Sequence, residues 1–164
     1  MAIVVTGGAG YIGSHTCVEL LNAGKDVIVA DNLVNSSEEA LRRVEKITGK
    51  KVRFYNVDLC DEVETGRVFA ENKDIEAVIH FAALKAVGES VEKPLEYYSN
   101  NLINTLVVLQ AMRRHAVKNF VFSSSATVYG DPASVPVRED FPTSTTNPYG
   151  TTKLFIERIL TDYS

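Results

Sequence analysis

A doubly wound α/β fold, a parallel sheet with helices on both faces, is what this 164-residue sequence predicts. Three observations lead there. Short apolar, β-branched runs alternate along the chain with amphipathic stretches of helical period. The first run leads into a glycine cluster that opens a helix. The second run ends on an acid, Asp31, eighteen residues after the last glycine of that cluster.

Taken in order, residues 2–6 form the first strand, followed by the glycine turn and a helix over 11–23 closed by Gly24. Residues 26–30 read as the second strand. Ser36 and Glu39 have the spacing of a capping box and start a helix that ends near Gly49. Residues 52–57 are the third strand, and Asp61 with Glu64 caps a helix reaching about Asn72. Residues 77–81 are the fourth strand. A long helix begins at Pro94, with Leu95, Leu102, Leu106, Leu109 and Met112 spaced in threes and fours after the first step. Residues 119–124 are the fifth strand, and Asn147 and Pro148 open a final helix by an N-cap and a first-turn proline. Right-handed crossovers put the strands in the order 3-2-1-4-5, a Rossmann-type three-layer αβα domain expected over residues 1–164. That order leaves strand five as an unpaired edge, where such sheets commonly carry a sixth strand. Residues 130–146, rich in Pro, Ser and Thr, form a loop long enough to suggest function.

Composition narrows the function. Hydrophobic residues are 45% of the chain and charged residues 23%, ordinary for a globular protein. A net charge of −4 supplies no general field for nucleic acid or an anionic membrane, so a bound phosphate must be held by local geometry. No apolar stretch approaches the roughly 20 residues that span a bilayer, and the start of the chain lacks the pattern of a signal peptide. Cys17 and Cys60 have neither metal spacing nor a disulfide framework, so no metal site is expected. The cytoplasm, with both thiols reduced, is the expected compartment. His15, His80 and His115 are scattered and read as packing or surface residues. Glu38, Glu39, Arg42 and Arg43 read as a solvated helix face with i,i+4 pairs.

Residues 6–13 read Thr-Gly-Gly-Ala-Gly-Tyr-Ile-Gly, with Gly7, Gly10 and Gly13 in Gly-x-x-Gly-x-x-Gly spacing. Glycines there let the backbone turn sharply and approach a pyrophosphate, and the helix N-terminus offers free N–H groups and its positive dipole end. Asp31 stands where an acid accepts hydrogen bonds from the adenosine ribose hydroxyls. No arginine or lysine immediately follows it, which favours NAD over NADP. Asp58, just after strand three, either bonds the adenine amino group or is an ordinary acid at a helix start; position alone does not choose. Phe81, Ala82, Ala83 and Leu84 follow strand four, and small residues there let the backbone lie close to the cofactor. Ala83 serves equally well as a packing residue.

Tyr149 and Lys153 lie four apart in the last helix, on one face. Pro148 puts Tyr149 in the first turn, where the positive dipole end favours the phenolate, and Lys153 adds a charge. Both effects suit a general base. Ser123, Ser124 and Ser125 end strand five, at the carboxyl edge where open α/β sheets bind ligands. Each motif is common alone. Together, downstream of a dinucleotide turn, they point to a reactive site.

These residues together resemble the extended short-chain dehydrogenase/reductase family, and within it the nucleotide-sugar epimerases, over essentially the whole chain. Segments 6–16, 31–33, 80–90, 123–130 and 148–150 carry the resemblance, most specifically Lys85-Ala86-Val87-Gly88-Glu89-Ser90 and Ser-Ser-Ser-Ala-Thr-Val-Tyr-Gly over 123–130. It implies interconversion of UDP-glucose and UDP-galactose by transient oxidation at carbon 4, with NAD retained through each cycle. It also implies that Tyr149 takes the proton of the 4-hydroxyl, that Ser125 aligns the 4-oxygen, and that Lys153 bonds the nicotinamide ribose and holds Tyr149 acidic. The residues it assigns to the cofactor are Gly7, Gly10, Tyr11, Ile12, Gly13, Asp31, Asn32, Asn35, Ser36, Asp58, Leu59, Phe81, Ala82, Ala83, Leu84, Lys85, Asn100, Ser123, Tyr149 and Lys153. Lys85, Ser125 and Tyr149 would meet the substrate.

A homodimer through the last two long helices is a further implication, though core packing accounts equally well for their apolar faces. Relatives that dehydrate or decarboxylate nucleotide sugars carry acids after the strand-five hydroxyl, where this chain has Ala126 and Thr127. Epimerisation therefore fits better than elimination. The family's carboxyl-terminal substrate domain has no counterpart in these 164 residues, so the chain alone is expected to turn over slowly or not at all. The competing reading is a cofactor-binding module without catalysis, which would not need Ser125, Tyr149 and Lys153.

Overall fold

Strand β1 (Ala2–Thr6) is buried along its whole length because it is the middle of a five-stranded parallel sheet. The computed structural model, which describes residues 1–164, flanks it with β2 (Asp26–Asp31) and β4 (Ile75–His80). The edges are β3 (Arg53–Asn56) and β5 (Asn119–Phe122), giving the order β3-β2-β1-β4-β5. This is the Rossmann-like α/β order that the alternation of runs predicts. The helices are α1 (Tyr11–Asn22), α2 (Glu38–Thr48), α3 (Glu62–Glu71), α4 (Val87–Glu92), α5 (Pro94–Arg114) and α6 (Pro148–Tyr163). None of them is long and apolar enough to cross a membrane.

The chain divides into two compact units, Met1–Ala82 with Asn104–Ser123, and Ala83–Ile103 with Ser124–Ser164. The first holds the whole sheet. Ile3 and Val5 of β1 and Val27 and Val29 of β2 pack with Cys17 and Leu21 of α1 and Leu41 and Val44 of α2. The alternate residues Val4, Ile28 and Val78 point the other way and are just as buried. Both faces are covered, as helical crossovers between parallel strands require. Phe69 of α3 and His115, just past α5, bring their rings to 6.0 Å, and Arg114 pairs with Glu62. The second unit consists of α4, the start of α5, a 3-10 turn (Ala126–Tyr129) and α6. There Tyr98 and Phe155 bring their rings to 6.2 Å.

Helix ends follow the side chains that can satisfy first-turn N–H groups. Asp61 caps α3, accepting from Val63 N and Glu64 N, and Asn147 caps α6, accepting from Gly150 N. The capping box expected at Ser36 is displaced by one residue. Ser37 is the N-cap of α2, accepting from Glu39 N at 3.3 Å, because the Ser36 hydroxyl is taken by Asp31 at 2.8 Å. Beyond it Glu38 and Glu39 pair with Arg42 and Arg43 on an exposed face, as expected.

Other differences concern boundaries and buried polar groups. β2 extends to Asp31 and β4 begins at Ile75, whereas β3 and β5 are shorter than their apolar runs. The short helix α4 and the 3-10 turn have too few residues to show a period. On α5 the leucine stripe is only partly inside: Leu109 and Met112 are buried, but Leu95 and Leu106 are 75% and 40% exposed. Asn101, Asn104 and Thr105 are buried instead, which their hydrogen bonds permit. His80 takes the packing alternative of its reading: it is buried and hydrogen-bonded through both ring nitrogens. Burial pushes the Cys17 thiol up to about 12 and, with Asp58 beside it, the Cys60 thiol up to about 11, so neither is a thiolate nucleophile at neutral pH.

Asp61 tests how far one cap supports this unit. Asp61→Ala is expected to cost about 1 kcal/mol of unfolding free energy, measured by urea denaturation.

Candidate active site

At the end of β1 the chain turns through Gly7, whose φ of +68° is a left-handed value that a Cβ disfavours. Gly7 N–H donates to Ala30 O of β2 at 2.9 Å, and its carbonyl accepts from Gly10 N at 3.1 Å. A Cβ on Gly13 would lie 2.3 Å from that carbonyl oxygen, and one on Gly7 would lie 2.7 Å from Ala82 N. The first turn of α1 is therefore pressed onto the strand end, and the turn onto the backbone after β4. Gly8 lies outside the expected spacing yet is as constrained, since a Cβ there would meet a methyl of Val29 at 2.7 Å. The available signal was Val29 itself, a branched core residue on the neighbouring strand.

Helix α1 starts at Gly10 with no side-chain cap and no acid in its first turn, and the side chains of Tyr11 and Ile12 are exposed. Its leading N–H groups have no side-chain cap, and side chains at 7 and 13 would collide with backbone that forms the turn. A bare helix N-terminus of this kind fits the pyrophosphate of a dinucleotide.

Asp31, at the end of β2, is buried and collects three donors: Ala9 N on Oδ2 at 3.0 Å, and Leu33 N and the Ser36 hydroxyl on Oδ1 at 2.9 and 2.8 Å. It ties the glycine turn to the loop after β2. In that loop Asn32 and Asn35 are exposed, and Asn32 Oδ1 accepts from Val34 N. After β3, Asp58 is exposed and its Oδ1 accepts from Cys60 N at 2.9 Å, with Leu59 buried beside it. Asp58 is not the cap of α3, a role that Asp61 fills. Phe81 N donates to Thr6 O and Ser123 N to His80 O, so both residues continue their strands at the carboxyl edge.

The remaining expected residues, Ala83, Leu84, Lys85, Asn100, Ser125, Tyr149 and Lys153, belong to the second unit. Pro148 and the Asn147 cap set Tyr149 in the first turn of α6, and Tyr149 N donates to Ser90 Oγ at 3.2 Å. Lys153 is one turn further, with Nζ 5.9 Å from the Tyr149 ring centroid. Lys153 is 3% exposed, and burial lowers its pKa to about 8. Its charge is thus present at neutral pH and lost in mild alkali. Ser125 Oγ accepts from Thr127 N and from the Thr127 hydroxyl, at 3.3 and 2.9 Å, which directs its own proton elsewhere. Thr127 in turn abuts Gly150, where a Cβ would lie 3.0 Å from Thr127 O. Ser124 bonds Glu157, one turn after Lys153 on α6.

Lys85 is exposed, and Asn100 donates to Asn101 Oδ1 at 2.9 Å. Asn101, missed in the sequence, fixes this region: Oδ1 accepts from Leu84 N, and Nδ2 donates to Leu84 O and to Thr152 Oγ1. Ser90 and Thr127 were also missed. Their partners are distant in sequence or reached by a turn, and no periodic pattern announces them.

Residues 3–164 match the model of the NAD dependent epimerase/dehydratase family. The chain is 64% identical over 162 residues to a UDP-glucose 4-epimerase of Bacillus subtilis, covering 99% of this chain and 48% of that protein. It is 62% identical to the UDP-glucose 4-epimerase of Haemophilus influenzae, again over 99% of this chain and 48% of the relative. A crystal structure of UDP-glucose 4-epimerase from Bifidobacterium longum in complex with NAD+ and UDP superposes with a TM-score of 0.97 at 61% identity, covering 99% of this chain and 49% of that one. The chain spans about half the length of the curated relatives it matches.

Two outcomes test the site as built. Gly13→Ala is expected to cost about 3 kcal/mol in a urea melt, because backbone and not a flexible side chain opposes the new methyl. Lys153 has a folded pKa lowered to about 8 from 10.5, so between those values the unfolded chain holds a proton that the folded chain lacks, and stability rises with pH. Below about 8 both states are charged and the burial cost is borne in full. Lys153→Met is expected to melt no lower than wild type at pH 7 and to lose the rise in melting temperature across that alkaline window.

Proposed function

The chain belongs to the NAD dependent epimerase/dehydratase family, and on that premise we propose that it carries the cofactor cradle and the general base of a UDP-glucose 4-epimerase. The observation that carries the reading is the joint presence of an uncapped, glycine-lined helix N-terminus and a Tyr149–Lys153 couple opening α6. NAD, when bound, supplies a reversible two-electron oxidant. Gly7, Gly10, Tyr11, Ile12 and Gly13 hold its pyrophosphate, and Asp31 accepts from its adenosine ribose. Asn32, Asn35, Ser36, Asp58, Leu59, residues 81–85, Asn100 and Ser123 complete its surroundings.

Tyr149 takes the proton from the 4-hydroxyl of the UDP-hexose and returns it after the sugar has presented its other face. The first-turn position and the Lys153 ammonium, charged below about pH 8, favour the phenolate. Ser125 donates to the 4-oxygen, a direction supported by the two bonds it already accepts from Thr127. With Ala126 and Thr127 following Ser125, no acid stands ready for elimination. UDP-glucose and UDP-galactose are the substrates. Exposed Leu95 and Ile103 on α5 and Phe155 on α6 support a homodimer through these two helices, and two cysteines outside any disulfide suit the reducing cytoplasm.

Calorimetric titration of the chain is expected to show NAD+ binding at least about tenfold tighter than NADP+, whose extra phosphate would face the Asp31 carboxylate. Adding UDP-galactose to the NAD+-loaded chain is expected to raise the absorbance of reduced nicotinamide. Tyr149→Phe is expected to slow that rise by about two to four orders of magnitude. A chain that binds no NAD+, or a Tyr149→Phe variant as fast as wild type, contradicts the reading.

A further inference from the structure

We infer that His80 is a positioning residue for the dinucleotide turn, acting at a distance through the backbone of Ala82; the inference rests on the cofactor reading above. His80 ends β4 and is 1% exposed. Its Nδ1 lies 2.7 Å from Thr6 Oγ1 and its Nε2 lies 3.1 Å from Thr105 Oγ1. The Thr105 hydroxyl donates to Asn104 Oδ1 at 3.2 Å, and Asn104 Nδ2 donates to Ala82 O at 3.3 Å. Ala82 N donates to Thr6 Oγ1 at 3.5 Å. The chain of contacts closes on itself.

The donors and acceptors around this ring can all be matched in one direction. An amide N–H can only donate, so Thr6 accepts from Ala82, and its own proton is available to His80 Nδ1. The Thr105 proton is spent on Asn104, so Thr105 accepts from His80 Nε2–H. In that direction the imidazole is neutral with its proton on Nε2, and the contacts named above run donor to acceptor around the ring. Bonds running head to tail polarise one another, and the rings of Phe120 and Phe122, at 5.6 and 6.2 Å, keep the surroundings apolar.

Ala82 is the one member whose backbone carries both of its ring contacts, through N–H and through C=O. It is also the residue that the bare Cα of Gly7 abuts. The ring thus sets where the wall of the glycine turn stands, while Thr105 and Asn104 lie on α5 and are not among the residues assigned to the cofactor. A buried histidine serving stability alone has no need of a route that ends on this peptide.

The test is made on the 164-residue chain. Long-range proton–nitrogen NMR is expected to show His80 as the neutral Nε2–H tautomer at pH 7; an Nδ1–H tautomer or an imidazolium overturns the ring. Thr105→Val keeps the shape and removes the hydroxyl, whereas Thr105→Ser restores it. Calorimetric titration is expected to show Thr105→Val binding NAD+ about tenfold more weakly, with AMP weakened less than about twofold and Thr105→Ser within about twofold of wild type for both. Unchanged NAD+ affinity in Thr105→Val, equal loss of NAD+ and AMP, or no recovery in Thr105→Ser overturns the positioning role while leaving the cofactor reading standing. Wild-type chain that binds neither nucleotide sinks the cofactor reading, and the positioning role with it.

Discussion

A steric constraint governs this molecule: α1 begins closer to the carbonyl of Gly7 than any side chain at residue 13 would allow. Because β1 is paired on both sides along its length, that carbonyl is held by the best-buried strand of the sheet. The helix inherits the rigidity of the core at the end where its backbone groups are unsatisfied. Asp31 adds a second tie by gripping Ala9 from β2. The burial that folds the sheet and the geometry of the uncapped helix start are thus the same set of contacts.

The strand order, the glycine turn, the acid that ends β2 and the proline-led last helix were all legible in the sequence, because each depends on local pattern. Val-rich runs must be strands buried on both faces, and Asn147-Pro148 can hardly do anything but begin a helix. What was not legible depends on partners far along the chain. Asn101 reaches Thr152, and His80 joins Thr6 to Thr105. The shift of the α2 cap from Ser36 to Ser37 has the same origin, since Asp31 competes for the Ser36 hydroxyl and nothing within the local pattern reveals the competitor. The leucine stripe of α5 misled for a related reason: period identifies a helix, but hydrogen-bonded asparagines can occupy the inward face and leave a leucine outside.

Two buried ionisable groups, His80 and Lys153, show opposite uses of burial. His80 is hydrogen-bonded through both ring nitrogens, so its environment suits rigidity. Lys153 is held where its ammonium is disfavoured, which keeps its pKa about 2.5 below the ordinary 10.5 at about 8. A group kept near its titration point can respond to a neighbouring phenol, whereas a satisfied one cannot. The contrast is between a group whose surroundings fix its hydrogen bonds and one whose surroundings tune its charge.

Asp31 has a consequence for anyone wishing to retune the nucleotide preference of such a fold. Its carboxylate anchors the glycine turn, the backbone of Leu33 and the hydroxyl of Ser36 at once. Exchanging it for a small neutral residue to admit a phosphorylated ribose would strand those donors in a buried place and slacken the turn that receives the rest of the ligand. On the proposed reading, selectivity and scaffold share an atom pair, so a successful redesign must rebuild the loop after β2 as a whole.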